Sequence, residues 1–292
     1  MGFASYSVSN RSLRASANDY ATASTSQIFS QQTERRAHES MLPQKALLRE
    51  CRDSETHPET LPIVLALDVT GSMGAVPEFL VREGLPKIVG KLMEKGLRDP
   101  SILFLAVGDH TYDGYPLQVG QFESGDEELD MWLTRTYLEG GGGGNEGESY
   151  LLALDFCGNR VVTDSFEKRN KKGVLIIFGD EPCLKYVPES AMREIYGDNY
   201  KGGDITFEKA LMDAQEKFEV FFICPNNHWK ADECEKALQP VLKERFLKAE
   251  KQSDIADLVV KIVLDVANSN KRTTKQGVEK KEVETEKPNI LL

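Results

Sequence analysis

Asp68, Thr70 and Ser72 offer one carboxylate and two hydroxyls at alternate positions, directly after the apolar run that begins at Ile63. All three are hard oxygen donors of the kind that hold Mg²⁺, Mn²⁺ or Ca²⁺, and no soft ligand stands among them. A second acid, Asp180, follows another apolar run, Gly173 to Phe178, in the sequence Gly179-Asp180-Glu181-Pro182. Taken alone, Asp-x-Thr-Gly-Ser is also turn chemistry, because these residues favour turns through local hydrogen bonds. Five consecutive glycines, Gly140 to Gly144, lie between the two acids in sequence. Glycines can simply allow a tight backbone path. No Lys follows Gly144 until well downstream, which argues against a phosphate-cradling P-loop.

The elements that position these residues follow from hydrophobic patterning. Ile63 to Asp68, Ile102 to Val107, Gly173 to Phe178 and Val220 to Cys224 read as strands buried on both faces, and Arg245 to Ala249 as a last strand. Leu117 to Phe122 reads as a shorter strand, with an Asp113-Gly114 turn permitting a hairpin before it. Helical spacing is expected over Glu78 to Met93, Asp126 to Leu138, Glu148 to Phe156, Phe207 to Phe218, Asp232 to Leu242 and, capped by Ser253, through Val266. Alternation of this kind predicts an α/β fold, an open and mostly parallel sheet with helices on both faces joined by right-handed crossovers. Asp68 and Asp180 then emerge at the carboxyl edge, where such sheets bind ligands at a switch in strand order.

The Asp68-Val69-Thr70-Gly71-Ser72 stretch resembles the Asp-x-Ser-x-Ser signature of the metal-ion-dependent adhesion site in von Willebrand factor type A domains, with Thr70 in place of the first Ser. The resemblance covers roughly residues 60–268. It looks like a bacterial or phage-borne subgroup marked by Asp-Val-Thr-Gly-Ser-Met-Gly, Pro-Leu-Gln-Val, Gly-Gly-Gly-Gly-Gly-Asn with Glu148-Ser149-Tyr150, and Gly-Asp-Glu-Pro. The resemblance implies that Asp68, Thr70, Ser72 and Asp180 are metal ligands. Where the family usually has Thr in the middle loop, this chain has Gly144-Asn145-Glu146, so Asn145 takes that role, directly or through water. Two carboxylates and neutral hydroxyls leave a divalent ion with appetite for another anion. The implied function is therefore a Mg²⁺- (or Mn²⁺- or Ca²⁺-) dependent protein–protein interaction, completed by a Glu or Asp carboxylate of a partner.

The chain has 292 residues, 40% of them hydrophobic, which suits one large domain with extensions. The expected division is an N-terminal arm over 1–59, disordered or docked through Tyr20, Phe29 and Leu47 to Ser54, a domain over 60–269, and a charged, solvated tail over 270–292. A short helix is expected between Gln27 and Arg36. A net charge of −11 argues against a broad nucleic-acid-binding surface. No apolar run is long enough for membrane insertion and the N-terminus has no signal core, so a cytoplasmic setting in a bacterial or phage-infected cell is expected. Tyr6, where an acylation signal wants Ser or Thr, sets Met1-Gly2 myristoylation aside. Five scattered cysteines suit reduced thiols.

Two rival classes remain. A metal-dependent hydrolase would draw on Asp109, His110 and Asp113 at a neighbouring strand end, with Cys183 as a candidate reactive thiol. An assembly protein would link copies through the arm and tail. His228 and Trp229 follow another strand end and are candidates for a partner-facing rim or for core packing.

Overall fold

The computed structural model describes residues 4–98, 100–141, 147–225 and 230–285. The N-terminal region holds helices α1 (Val8–Ala17), α2 (Thr25–Ile28) and α3 (Gln31–Glu34) and strand β1 (Arg49–Cys51). The single helix expected between Gln27 and Arg36 is two, because Phe29 leaves the helical region (φ −95°, ψ 97°) to bury its ring completely. Ser24 opens α2 with a capping box, its backbone N–H donating to the Gln27 amide oxygen at 2.8 Å. Tyr6, Tyr20, Ile28 and Phe29 of this region belong to the main core. Full burial of a side chain such as Phe29 contributes roughly 1.5–3 kcal/mol.

The domain proper begins with β2 (Leu61–Asp68) and a helical run made of α4 (Ala75–Phe79), a wide π-turn at Leu80–Gly84 and α5 (Leu85–Glu94). Next come β3 (Pro100–Val107), β4 (Leu117–Val119), α6 (Asp126–Thr134), α7 (Leu151–Arg160), β5 (Val161–Thr163), α8 (Asp164–Arg169) and β6 (Gly173–Phe178). The chain continues through β7 (Tyr186–Val187), α9 (Glu189–Tyr196), β8 (Ile205–Thr206), α10 (Phe207–Lys217) and β9 (Phe218–Pro225). It ends with α11 (Ala231–Leu242), β10 (Phe246–Ala249) and α12 (Asp254–Thr285). The last helix passes straight through position 270, where a tail is expected. Lys, Glu and Arg are good helix formers, and extending an existing helix avoids the cost of nucleation.

Six strands form the central sheet in the order β10-β9-β6-β2-β3-β4, parallel throughout except for β4. The expected architecture is the observed one. Side chains alternate between two cores, as a pleated strand requires. Along β2, Ile63, Leu65 and Leu67 enter the layer with α5, α12 and the arm, while Val64 and Ala66 enter the layer with α7 and α10. The direction of travel reverses between β2 and β6: the chain goes from β2 to β3 on one side, and from β6 to β9 on the other. The carboxyl ends of β2 and β6 therefore flank the switch point of the sheet.

Two helix boundaries that bear on the site differ from expectation. Helix α6 stops at Thr134, short of Leu138, because two glutamine side chains capture the backbone that follows. Gln118 exchanges hydrogen bonds with Tyr137 (2.8 and 2.9 Å) and Gln32 with Leu138 (3.0 Å each), which holds this stretch extended as it leads into the glycine run. Helix α7 starts at Leu151, after Glu148, because the backbone of Glu148 donates to Pro182 O and accepts from Leu184 N, both at 2.9 Å. All five cysteines are free. Among the described residues no helix is long and apolar enough to cross a membrane.

Candidate metal centre

Asp68 ends β2 with 1% of its surface exposed. Strand parity turns its side chain toward the α7 layer. There its Oδ2 accepts from the Tyr150 hydroxyl at 2.6 Å, while Oδ1 accepts from Thr70 N at 2.9 Å and Thr70 Oγ1 at 2.5 Å. Burial raises the Asp68 carboxyl from 3.8 to about 7; the Thr70 and Tyr150 hydrogen bonds oppose the rise and the nearby Asp180 charge adds to it.

Thr70 is buried and extended, and Ser72 is half-buried in the short turn Gly71–Met73 that opens the helical run. The glycine segment seats directly on this loop, with Gly71 N donating to Gly141 O at 2.8 Å and Gly140 N to Val69 O at 3.2 Å. Gly140 has φ +65°, a conformation that favours glycine. Asp180, fully buried, follows the end of β6. The pairing of Leu67 with Phe178 sets Asp68 and Asp180 on neighbouring strand ends, as expected. Asn145, His228 and Trp229 lie outside the described residues.

Sequence reasoning did not assign Tyr150 or Glu148 a place in the site, although both stand in the Glu148-Ser149-Tyr150 motif. The available signal was an acid and a phenol a few residues after the glycine run, just before the apolar start of a helix, Leu151 to Leu154. Glu148 is 1% exposed and its Oε2 has no hydrogen-bond partner. Burial, followed by the charges of Asp68, Glu181, Asp109 and Asp113, raises its carboxyl from 4.5 to about 10. Glu181 itself is paired with Lys230. The donors fit a hard divalent cation: two aspartates, two hydroxyls and a buried carboxylate oxygen left unpartnered. Among the described residues no three His, Cys, Asp or Glu side chains converge as a cation cluster; a cation held here would need hydroxyl oxygens or water as well.

Asp109 and Asp113 brace the connection between β3 and β4. Asp109 Oδ1 accepts from Thr111 N at 2.9 Å, and Asp113 Oδ2 accepts from Asp109 N at 2.7 Å. Ser149 Oγ lies 2.8 Å from His110 Nδ1, and Asp109 Oδ1 lies 3.6 Å from the same nitrogen. A nucleophile relay needs its serine and acid on opposite ring nitrogens. Ser149 is also fully buried. Burial lowers the His110 pKa and raises that of the Cys183 thiol. A cleft of about 1000 Å³ opens beside these residues, lined by His110, Thr111, Glu181, Cys183, Tyr186 and Lys230 among others.

The raised carboxyls fix a pH dependence for the metal-free protein. Below the ordinary carboxyl values both folded and unfolded chains hold these protons. As pH rises past them, the unfolded chain releases protons that folded Asp68 keeps up to about pH 7 and folded Glu148 up to about pH 10. Stability in EDTA is therefore expected to fall from pH 5 to pH 9, less steeply in Asp68→Asn. Urea unfolding across that range measures it, and equal slopes in the two proteins would contradict the assignment.

The fold is similar to that of the pilus adhesin SpaC from Lactobacillus rhamnosus GG in its open conformation, at 12% identity and a TM-score of 0.50. The match covers 75% of this chain and 31% of that one. This chain thus spans about a third of the adhesin's length. Proximal thread matrix protein 1 from the mussel byssus matches at 13% identity and a TM-score of 0.45, over 75% of this chain and 49% of that one. The vWF domain of the type V pili tip protein Mfa5 from Porphyromonas gingivalis matches at 10% identity and a TM-score of 0.46, over 72% and 96%. The sequence matches no protein-family model and no curated protein.

Proposed function

We propose that this chain is a divalent-metal-dependent protein-interaction module of von Willebrand A type, in which Asp68, Thr70, Ser72 and Asp180, with Asn145 from the middle loop, hold Mg²⁺, Mn²⁺ or Ca²⁺. The observation that carries this reading is the placement of two buried strand-terminal aspartates side by side at the switch point of the sheet. Asp68 and Asp180 supply two negative charges, and Thr70 and Ser72 add neutral oxygen without overcompensating a divalent ion. Tyr150 and Thr70 fix the orientation of the Asp68 carboxylate through three hydrogen bonds. When bound, the cation supplies an electrophilic position for a Glu or Asp carboxylate of a partner protein. The likeness to a pilus adhesin is in keeping with an adhesive role.

Immobilised peptides with a central Glu, compared with Gln counterparts in Mg²⁺ and in EDTA, test the reading. Capture is expected only for Glu peptides, only with Mg²⁺, and is expected to be lost in Asp68→Ala. Equal capture by Asp68→Ala, or capture that survives EDTA, would overturn it.

A further inference from the structure

Glu148 presents a problem that a proton does not solve. It is 1% exposed, and one of its carboxylate oxygens, Oε2, has no hydrogen-bond partner. The charges that act on it most strongly are those of Asp68, Glu181, Asp109 and Asp113, all acidic. Protonation removes the repulsion but leaves a buried polar group still without a hydrogen-bond partner, so only half of the problem is relieved. A cation with its retained water answers both demands, because it neutralises the acids and offers Oε2 a donor.

The position is rigid. The Glu148 backbone is bonded on both sides to the segment after Asp180, at Pro182 O and Leu184 N, and pairs with Cys183 as an isolated bridge. Gly147, just before it, has no room for a Cβ, which would fall 2.4 Å from Pro182 O. Two residues beyond, Tyr150 donates its hydroxyl to Asp68. The segment from Gly147 to Tyr150 is thus stitched to both strand ends that carry the aspartates.

We infer that Glu148 is the acidic member of the metal centre contributed by the middle loop, its Oε2 accepting a hydrogen bond from a water in the cation's shell. This rests on the metal reading of Asp68 and Asp180 and adds to it a third carboxylate, acting through a water because its Oε2 lacks a donor that such a water would supply. Such outer-shell partners orient the bound water and raise affinity. Mg²⁺, which gives up its waters reluctantly, depends on them more than Ca²⁺ does.

Calorimetric titration of Mg²⁺ and Ca²⁺ into EDTA-stripped wild-type, Glu148→Gln and Asp68→Asn proteins tests the inference, together with the melting temperature of each in EDTA. Glu148→Gln is expected to weaken Mg²⁺ binding by about 10- to 100-fold, a range typical of outer-shell ligands. It is expected to weaken Ca²⁺ binding less, and to raise the metal-free melting temperature by removing a repelled acid. Asp68→Asn is expected to abolish binding of both ions. Wild-type Mg²⁺ affinity in Glu148→Gln, with binding lost in Asp68→Asn, would overturn the role of Glu148 and leave the metal reading intact. Absence of binding in the wild-type protein would overturn both. A lower metal-free melting temperature with unchanged affinity would assign Glu148 to packing alone and so reject the inference. If the glutamine variant does not fold, Glu148→Ala, whose vacated volume can admit water, is judged by the same affinities.

Discussion

Replacing Arg11 with alanine is expected to destabilise the protein by about 3–5 kcal/mol, the usual cost of removing one partner from a buried ion pair. Arg11 is 1% exposed although it lies in the N-terminal arm. Its Nη2 sits 3.0 Å from Asp130 Oδ1 and donates to Val81 O at 2.5 Å, and its guanidinium lies 5.1 Å from the centre of the Tyr20 ring. Tyr20 in turn donates to Asp130 Oδ2 at 3.1 Å. Without Arg11, Asp130 remains buried among Tyr6, Tyr20 and α6, and burial already raises its carboxyl pKa against the pull of Arg11. The pair itself is not strongly stabilising, since Nε and Nη1 of Arg11 have no hydrogen-bond partners. A double replacement, Arg11→Met with Asp130→Leu, is therefore expected to recover most of the loss. Urea unfolding of Arg11→Ala measures the loss, and that of Arg11→Met, Asp130→Leu and the double variant measures the coupling. Equal destabilisation in Arg11→Ala and the double variant would show that the arm is held by packing and not by this pair.

The same contact explains why the arm was only partly legible: sequence names Tyr20 and Phe29 as docking aromatics but neither chooses docking over disorder nor marks Arg11. Its composition is polar and Ser-rich, and composition alone cannot bury a core. The arm docks by placing a few large side chains, Tyr6, Tyr20, Ile28 and Phe29, against a domain that exists only after folding. Its Arg11 reads a carbonyl in the π-turn at Leu80–Gly84, and Arg82 from that turn donates to the arm at Ala23 O (2.8 Å). None of this has a local periodic signal. The central strands were legible for the opposite reason: buried parallel strands are continuous apolar runs, and Ile63, Ile102, Gly173 and Val220 each fall in one.

The candidate site was half legible. Asp68 and Asp180 are marked by where their apolar runs stop, and parallel topology brings such ends together. Helical spacing placed Glu148 inside a helix. The backbone of Glu148 instead pairs with the loop after β6, a contact across sequence that spacing does not encode. Tyr150 falls in the same class: its ring is core and its hydroxyl is site, and only the fold reveals the second part.

That double duty gives the sharpest packing test, Gly179→Ala. A Cβ at Gly179 would stand 2.2 Å from the Tyr150 hydroxyl oxygen and 2.4 Å from Cζ, far inside any contact real side chains make. Tyr150 has nowhere to retreat. It is 1% exposed, its ring meets Phe222 edge-on at 5.3 Å, and its hydroxyl is held by Asp68. Relief must come from moving the β6 end or from breaking the bond to Asp68, and either displaces an aspartate of the proposed metal pair. The variant is expected to lose about 3 kcal/mol or more, at the upper end of overpacking costs, and to lose metal affinity with it. Gly203→Ala, where a Cβ meets nothing within 4 Å, serves as the neutral control. Thermal unfolding and Mg²⁺ titration of the two proteins compare them. A Gly179→Ala protein as stable as Gly203→Ala would mean that Tyr150 does not fill the space between the two strand ends. Adding Tyr150→Phe removes the hydroxyl oxygen but leaves the ring carbon in the way, so this pair is expected to regain only part of the stability. It is expected to regain none of the affinity, because the hydroxyl that orients Asp68 is then gone.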